Sequence, residues 1–285
     1  MQCLQFDFNL VFLDSAAQKV LIVYAHQSPC SFNTGAKDAA VEELKNKGCE
    51  VTVSDLYDMK FKASATAEDI TGGVKNAGHF RYAQEIKLAW EEGRLSSDIT
   101  EEQRKVTEAD LIIFQFPMYW FSVPAIMKGW IDRVLTPGFA YSQEKRYSQG
   151  MFKDKKALLS FTTGSPEAMF SPTGIHGDMN VSLWPLQNGI LHYCGFQVLA
   201  PQIFWAPSSQ TPEARKSMLG DWRTRLDKLM GEEPLSFLPL DDFDEKCLQL
   251  KPDVAEKLAS KEFGPALGIH LGKRLPPNSQ MKAGV

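Results

Sequence analysis

The sequence predicts an α/β protein built on a doubly wound parallel sheet. Short apolar runs alternate with segments of helical character along most of the chain, and each run is continuous rather than alternating in polarity. A continuous apolar run is typical of a parallel strand that is covered by helices on both faces. Strands and helices that alternate in this way favour a doubly wound sheet over an all-helical or all-β architecture.

The first strand and the helix after it are the clearest elements. Residues 20–25 read VLIVYA, and Ser31 is a suitable cap for a helix that ends near Lys47. Gly48 supplies the stop, because glycine adopts the left-handed backbone that ends many helices. The other strands are predicted at 50–55, 110–116, 156–162 and 195–199. The other helices are predicted at 124–134, 184–194 and 211–231, and a polar stretch at 60–105 with helical patches such as 83–92 is interpreted as an insertion over the sheet.

Two segments lie outside this alternation. Residues 1–19 make a poor signal peptide, because Asp7 and Asn9 interrupt their apolar part and no basic start precedes it. We expect them to be an extension of unknown role. Residues 20–233 then form the main domain. Residues 234–285 are too short for a core of their own, so we expect this segment to pack on the main domain or on a partner subunit.

Composition excludes several classes of protein. The 285 residues carry a net charge of −4, which leaves no broad basic surface for nucleic acid. Apolar residues make up 44% of the chain, but no run reaches the roughly 18 residues that a membrane span needs. The five cysteines form no CxxC pair, which argues against a zinc ribbon and a thioredoxin-like site. Their loose spacing fits a reducing cytoplasm.

The end of the third predicted strand carries the most informative stretch of the chain. The strand breaks at Pro117, four large side chains at 118–121 crowd into a turn, and Pro124 starts a helix, where its missing N–H costs nothing. Ligands bind at this end of an open parallel sheet, so a flat ring lying against the turn explains its composition. A hydrophobic loop packed under a neighbouring element explains it equally well.

Two further strand ends carry groups suited to a ligand. The loop after the first strand has no GxGxxG motif, so a phosphate there depends on Ser31, on backbone N–H groups at the helix start and on His26. Thr162 to Pro166 offers hydroxyl and N–H groups, and His176 lies in a loop between glycines. A solvated loop histidine and a plain turn are the alternatives at these places. Together the three loops predict a pocket for a flat, partly anionic ring such as an isoalloxazine.

Six segments of the chain match one known family. They read VLIVYAHQ and SFN within 20–33, SDLY at 54–57, ADLIIFQFPMYWFSVPAIMKGWIDRV at 109–134, TTG at 162–164, GIHGDMN at 174–180 and LWPLQNGILHYCGFQVLAPQ at 183–202. On these segments the chain resembles the NAD(P)H:quinone oxidoreductases, the DT-diaphorase family. FGPALGIHLGK at 263–273 is similar to the long-tailed branch that uses NAD(P)H, in contrast to the shorter branch that prefers dihydronicotinamide riboside.

The resemblance implies a flavodoxin-like homodimer with a small C-terminal annex and one FAD per subunit. Hydride then passes from NADH or NADPH to flavin N5 and on to a quinone by a ping-pong route. The residues implied for the cofactor are His26, Phe32, Asn33, Arg81, Pro117, Met118, Tyr119, Trp120, Phe121, Thr162, Thr163, Gly164, Ser165 and Arg215. Those implied for the ring substrates are Trp120, Phe121, Gln143, Met169, His176 and Tyr193, with Tyr141 reaching in from the other subunit. Those implied in hydride transfer are Gly164, Phe170 and His176.

Several positions depart from the family pattern. Phe170 and Gln143 stand where the family has tyrosines, and Ser165 stands where it has a second glycine. The short-tailed branch binds zinc through two histidines and a cysteine. Here Asn188 replaces the first histidine and leaves His192 alone, so no metal is expected. Other departures are Arg81 in place of a polar amide, and Cys247 and Lys251 in place of an aromatic pair that closes the pocket.

Phe170 is the departure with the largest expected effect. Hydride arriving at flavin N5 leaves negative charge near N1 and O2, and a hydrogen-bond donor there is worth about 2–4 kcal/mol. The missing hydroxyl would leave His176 to carry that charge. Two alternatives to a quinone reductase stay open. One is a weakly active flavoprotein that acts mainly by binding a partner protein, and the other is an FMN-dependent azo- or nitroreductase of the same fold.

Overall fold

The computed structural model describes residues 17–275 and contains a parallel sheet of six strands. The strand order is β2-β1-β3-β4-β5, and β6 also pairs with β4. The strands are β1 Lys19–Tyr24, β2 Glu50–Asp55, β3 Leu111–Pro117, β4 Lys156–Thr162, β5 Gln197–Val198 and β6 Gln202–Phe204. The helices are α1 Phe32–Asn46, α2 Tyr82–Glu91, α3 Ser97–Glu108, α4 Ala125–Val134, α5 Met179–Leu186, α6 Pro212–Leu226 and α7 Pro252–Ala259. The strand order reverses between β1 and β3, which is where such sheets bind ligands.

Helices cover both faces of the sheet, and the central strand β3 is buried along its whole length. Ile112 and Phe114 point to one face and pack with Trp130 of α4. Leu111 and Ile113 point to the other face, where α1 and α6 pack. This division follows from the strand period of two, and burial on both faces explains why the strand reads as a continuous apolar run. The doubly wound parallel sheet predicted from the sequence is confirmed.

The predicted bounds of the first half of the chain agree closely with the structure. Ser31 caps α1, since its Oγ accepts a hydrogen bond from the N–H of Thr34 at 3.1 Å. Gly48 follows this helix with a φ of 82°, in the left-handed region that glycine tolerates. One detail differs at α4, where Pro124 is the residue before the first helical turn rather than a member of it.

The helix predicted at 184–194 and the strand predicted at 195–199 are present, but their bounds differ from the prediction. The helix begins earlier, at Met179, because Asp178 caps it by accepting from the N–H of Asn180 at 2.9 Å. Pro185 lies inside this helix, and a π-helical stretch, Gln187–His192, continues it. The last strand position is divided, with β5 beside the start of β4 and β6 beside its end. No sequence pattern marks strands of two or three residues.

The polar stretch before β3 forms α2 and α3, and a buried guanidinium ties this stretch to α4. Arg133 donates from Nη2 to Asp69 at 2.9 Å and from Nη1 to Asp98 at 2.7 Å. These bonds hold the pKa values of both carboxyl groups below the usual range, against the opposing effect of burial. The insertion thereby supports α4, the helix that follows the aromatic turn.

The C-terminal segment from residue 234 contacts the main domain within the same chain. The N–H of Leu235 donates to the carbonyl of Val198 at 2.8 Å, and the ring of Phe237 stacks on His192 with centroids 4.2 Å apart. Gly268 lies so close to the indole of Trp184 that a Cβ there would clash. Residues 1–16, which include most of the expected extension, lie outside the described residues, as do 276–285. Between residues 17 and 275, no helix is long and apolar enough to cross a membrane.

Candidate functional site

The turn after β3 projects two large aromatic side chains into the open. Trp120 and Phe121 have φ values of 49° and 61°, in the left-handed region that bulky residues avoid. Paired backbone hydrogen bonds between Tyr119 and Ser122, both at 3.0 Å, close the turn. Trp120 is 95% exposed, so the turn is not packed under a neighbouring element. Each of these two backbone conformations costs about 1–3 kcal/mol, and strained residues of this kind cluster at ligand sites.

A cavity of about 470 Å³ opens beside this turn, at the carboxyl ends of the central strands. We call it the α1 cavity, because the start of α1 forms one wall. It is lined by His26, Ser31, Phe32, Asn33, Pro117, Met118, Tyr119, Thr162, Thr163, Gly164, Pro207, Ser208 and Arg215. The structure therefore gathers, around one space, most of the residues that the family resemblance implies for the cofactor.

A second cavity of about 200 Å³ adjoins the first, and we call it the ring pocket. Met118, Thr163 and Gly164 line both spaces, so the two are neighbours across these residues. The lining of the ring pocket is Met118, Trp120, Phe121, Thr163, Gly164, Ser165, Phe170 and His176. Phe121, Phe170 and His176 contact one another and form an aromatic wall, while Gly164 and Ser165 add backbone and a small side chain. This combination suits a flat ring with polar groups along one edge.

Positive potential collects at the start of α1. Among residues 17–275, no acceptor is recorded for the N–H groups of Phe32 and Asn33, and a helix start with free N–H groups attracts anions. Arg215 lies in the first turn of α6 and lines the same cavity, with Nη1 donating to the carbonyl of Gln210 at 2.7 Å. The Oγ of Ser31 accepts the capping bond of α1, which leaves its one proton for Thr34 or for a ligand, so its role in phosphate binding stays a prediction. Backbone N–H groups and a guanidinium are the other anion-binding groups available here.

His26 is held in one protonation state beside this cavity. Its Nδ1 accepts a hydrogen bond from the N–H of Ser28 at 2.9 Å. Burial lowers the pKa of His26, so the ring is neutral at pH 7. A neutral imidazole whose Nδ1 accepts must carry its proton on Nε2. His26 therefore presents a neutral N–H donor to the cavity.

Hydroxyl groups at the end of β4 are used within the protein. Thr163 donates from Oγ1 to the carbonyl of Ser165 at 2.8 Å and accepts from the N–H of Ala206 at 3.1 Å. Thr162 accepts from Nδ2 of Asn33 at 2.9 Å. The expectation that both hydroxyls serve a ligand does not hold for Thr163. Its bonds shape the turn instead, and the N–H groups of Gly164 and Ser165 have no recorded acceptor among residues 17–275.

His176 lies on the aromatic wall of the ring pocket. Its ring centroid is 4.8 Å from Phe170 and 5.4 Å from Phe121. The N–H of His176 donates to the carbonyl of Met169 at 2.9 Å, which folds the loop back on itself. Gly174 permits this fold, because a Cβ there would clash with the backbone of Ala168 and Met169. The side chain of His176 makes no recorded hydrogen bond within residues 17–275, so it is available to a ligand.

Some residues that the resemblance implies lie elsewhere in the chain. The rings of Tyr141 and Tyr193 pack together with centroids 5.2 Å apart, and the ring centroid of Tyr147 lies 5.2 Å from that of Tyr193. None of the three lines the α1 cavity or the ring pocket. Gln143 and Arg81 are exposed and line neither space. A single chain therefore supplies the Trp120 wall of the predicted substrate site but not its tyrosine wall.

Three residues of the site were missed by sequence reasoning. Pro207 and Ser208 line the α1 cavity just after β6, a strand too short to leave a pattern. Gln115 is buried in β3 and bonds to Asn33, with Nε2 donating to Oδ1 at 2.9 Å. One signal was present for Gln115, namely a single amide inside the apolar run at 111–117. A polar side chain in a fully buried strand needs a partner, and that partner is in the site.

Three comparisons with known proteins agree with this architecture. A family model described as the flavodoxin-like fold matches residues 18–226. NAD(P)H dehydrogenase (quinone) 1 of Rattus norvegicus is 50% identical over 271 residues, which are 94% of this chain and 99% of that protein. Ribosyldihydronicotinamide dehydrogenase (quinone) of Homo sapiens is 54% identical over 220 residues, which are 77% of this chain and 95% of that protein.

Solved structures extend the agreement to three dimensions. A proposed quinone reductase from Klebsiella pneumoniae superposes with a TM-score of 0.82 at 39% identity, covering 89% of this chain and all of that one. An NAD(P)H:quinone oxidoreductase from Methanothermobacter marburgensis superposes with a TM-score of 0.61 at 26% identity and covers 76% of this chain.

Proposed function

Because the chain belongs to the flavodoxin-like NAD(P)H:quinone oxidoreductase family, we propose that it reduces quinones to hydroquinones with NADH or NADPH through a bound FAD. One observation carries the proposal. An exposed, strained pair of aromatic residues, Trp120 and Phe121, borders a ring-sized pocket that adjoins a larger anion-attracting cavity. A flavin needs such a pair of spaces, one for its ring and one for its phosphates.

The donors around the two cavities fit this cofactor. The N–H groups of Gly164 and Ser165 suit the polar edge of the ring, and the N–H groups of Phe32 and Asn33 suit a phosphate. Arg215 adds a permanent positive charge at the far side of the α1 cavity. We favour FAD over FMN because this cavity continues past the start of α1 to α6, which leaves room for a second phosphate and a nucleoside.

Bound FAD supplies hydride chemistry, and the protein's own residues decide what reaches it. With the flavin ring in the ring pocket, the exposed side chains of Trp120 and Phe121 are left to stack against a substrate ring. We propose that nicotinamide and quinone use this one surface in turn, which gives a ping-pong order. His176 is the side chain best placed to donate a hydrogen bond or a proton where negative charge develops. Phe170, beside it, contributes packing but no donor.

We further propose that the working form is a homodimer. Trp120 and Ile175 are 95% and 84% exposed, and Val181 is 52% exposed, which is a large apolar surface for an isolated subunit. The Tyr141–Tyr193 pair lies outside the ring pocket of its own chain. A second copy that covers the exposed side chains can bring its own tyrosine pair to this pocket and complete the substrate site.

The test begins with native purification and chromatography of the released flavin. We expect FAD in a one-to-one ratio with the chain, and turnover of a simple quinone with NADH or NADPH. Stopped-flow reduction by NADH, NADPH and dihydronicotinamide riboside in turn identifies the donor. FMN alone would support the azo- or nitroreductase alternative. Tight FAD binding with negligible reduction by all three donors would overturn the enzymatic proposal in favour of a partner-binding flavoprotein.

A further inference from the structure

A separate cavity of about 180 Å³ lies between the C-terminal segment and the main domain. The main domain contributes Tyr147, Trp184, Asn188 and His192. The C-terminal segment contributes Leu238, Leu240, Phe243, Leu248, Ala266 and Ile269. None of these residues lines the α1 cavity or the ring pocket. The flavin chemistry proposed above therefore makes no use of this space.

The size and walls of this annex cavity suit a single aromatic ring. An engineered apolar cavity of about 150 Å³ in another protein stays dry and binds benzene. Here the C-terminal wall is wholly apolar, and aromatic rings of Tyr147 and Trp184 face it from the main domain. Water has few partners against such a wall, whereas an aromatic guest gains dispersion contacts on every side.

His192 gives the cavity a hydrogen-bond acceptor that can select among ligands. His192 is 9% exposed, and Nδ1 lies 3.3 Å from Oδ1 of Asn188. Burial lowers the pKa of His192 to about 4, so the ring is neutral at pH 7. With the amide oxygen as acceptor, Nδ1 carries the proton and Nε2 holds a lone pair. Within residues 17–275 no hydrogen bond to Nε2 is recorded, so this nitrogen is free to accept from a guest.

We propose that the annex cavity binds a neutral one-ring phenol, with the ring against the apolar wall and the hydroxyl donating to Nε2 of His192. A metal ion does not suit these groups, since His192 is the sole strong ligand type among the lining residues. An anionic guest does not suit them either, because no lysine or arginine lines the space.

The position of the cavity gives such a ligand two consequences. It would join the C-terminal segment to the main domain, since the two sides contribute opposite walls. It would also touch Tyr147, whose ring lies 5.5 Å from His192 and 5.2 Å from Tyr193. Occupancy therefore stabilises the segment and supports one side of the Tyr141–Tyr193 pair.

The probe is 4-fluorophenol, titrated into the flavin-loaded protein and followed by fluorine NMR, with toluene as the competitor without a hydroxyl. We expect a Kd on the order of 1 mM or tighter. Ala266→Leu fills the cavity and should abolish binding. Ala259→Leu is the matched control. It makes the same alanine-to-leucine change in the same segment, at an exposed position of α7 that does not line the cavity. His192→Phe keeps a ring stacked on Phe237 and removes the lone pair.

The hydroxyl assignment predicts a selective loss in His192→Phe. Binding of 4-fluorophenol should weaken by about fivefold to tenfold, the effect of one lost hydrogen bond, while toluene changes by less than about twofold. Absence of binding to the parent protein overturns the proposal. So does equal binding to Ala266→Leu, which would put the probe elsewhere, including the ring pocket. Equal weakening of both compounds in His192→Phe overturns the role of Nε2, and this readout stands even if Ala266→Leu does not fold.

Discussion

Gln115, in the centre of the sheet, donates from Nε2 to Oδ1 of Asn33 at the start of α1, over 2.9 Å. Ser160 donates to Oε1 of Gln115 at 2.7 Å, and Asn33 in turn donates to Thr162 at 2.9 Å. All four residues are buried. The network fixes the relative positions of α1, β3 and β4, whose ends form the α1 cavity. The walls are therefore set before any ligand arrives, and such preorganisation lowers the entropic cost of binding.

Gln115→Leu should lower both stability and flavin affinity. The substitution leaves Oδ1 of Asn33 and the hydroxyl of Ser160 without partners in a buried environment, and each unpaired group costs about 1–3 kcal/mol. We expect the free energy of unfolding of the flavin-free protein to fall by about 2–5 kcal/mol in urea. Asn33 also loses one of the two hydrogen bonds that orient it, so the purified variant should contain less flavin than the parent.

Ser160→Ala is the matched control for this network. It removes the outermost donor and leaves the bond from Gln115 to Asn33 in place, so flavin content should stay near that of the parent. Equal flavin content in Gln115→Leu would show that the network stabilises the sheet without organising the cavity.

The sequence predicted the sheet well because burial on two faces leaves a strong pattern. The runs at 20–25, 110–116 and 156–162 are continuous and apolar, and each became a strand within one residue of its predicted bounds. The divided edge of β5 and β6 was not predicted, because a strand of two or three residues has no periodicity to detect. The start of α5 was missed because its cap, Asp178, lies within the irregular glycine loop.

The candidate site was predictable in its residues more than in their roles. The identities of Trp120, Phe121 and His176 indicated a ring pocket, and the structure brings them together. Hydrogen-bond direction cannot be read from a sequence, since it depends on neighbours that only the fold supplies. The hydroxyl of Thr163 donates within its own turn for this reason. The annex cavity left no sequence signal, because residues from 147 to 269 meet only after folding.

The protein should be a dimer in solution, and Tyr141 should matter only across the subunit interface. Light scattering at micromolar concentration should give twice the chain mass of 31.9 kDa. Tyr141→Ala should raise the KM for quinone and leave flavin content unchanged, because Tyr141 lines neither cavity of its own chain. A monomeric mass with full activity would contradict this arrangement.

Residues 1–16 should be dispensable for catalysis. Lys19 begins β1, and its N–H donates to the carboxylate of Asp110 at 2.7 Å, so a truncation must stop before it. A chain that starts at Ala17 should keep the flavin content and the turnover of the parent. A chain that starts at Val20 should be less stable, because it loses this bond and the first pair of the β1–β2 ladder. Loss of flavin from the longer of the two would show that the preceding residues contribute to the site.

His192 should make stability depend on pH in a defined window. Burial lowers the pKa of His192 in the folded protein from 6.5 to about 4. The contribution of His192 to the free energy of unfolding is therefore fully present above about pH 6.5 and is lost as the pH decreases toward 4. Over this window the unfolded chain binds a proton that the folded chain does not. Between pH 8 and pH 5 this group alone should remove about 2 kcal/mol from the free energy of unfolding.

The comparison with His192→Phe isolates this effect. Carboxyl groups such as Asp69 and Asp98 have lowered pKa values in both proteins, so their contributions cancel in the difference. Urea unfolding measures the free energy of unfolding at pH 8 and at pH 5. Its decrease between these two pH values should be smaller in the variant than in the parent by about 2 kcal/mol. Parallel losses in the two proteins would mean that His192 is hydrated and titrates normally.

The Phe170–His176 pair gives the sharpest test of the proposed chemistry. Their ring centroids are 4.8 Å apart, and Phe170 is buried with no group that can donate a hydrogen bond. If His176 alone stabilises the charge that develops at the flavin edge, His176→Ala should slow flavin reduction by about 10-fold to 1000-fold. Phe170→Tyr restores a hydroxyl beside the histidine and should speed the same step.

The measurement is single-turnover reduction of the three proteins at matched NADH and NADPH, with flavin content determined for each. Trp205 packs against Phe170 at 5.6 Å, so Phe170→Leu serves as a control for lost packing without an added donor. A gain with tyrosine and no gain with leucine assigns the effect to the hydroxyl. If His176→Ala reduces flavin as fast as the parent, a backbone N–H such as that of Gly164 or Ser165 supplies the stabilisation, and His176 is only part of the aromatic wall.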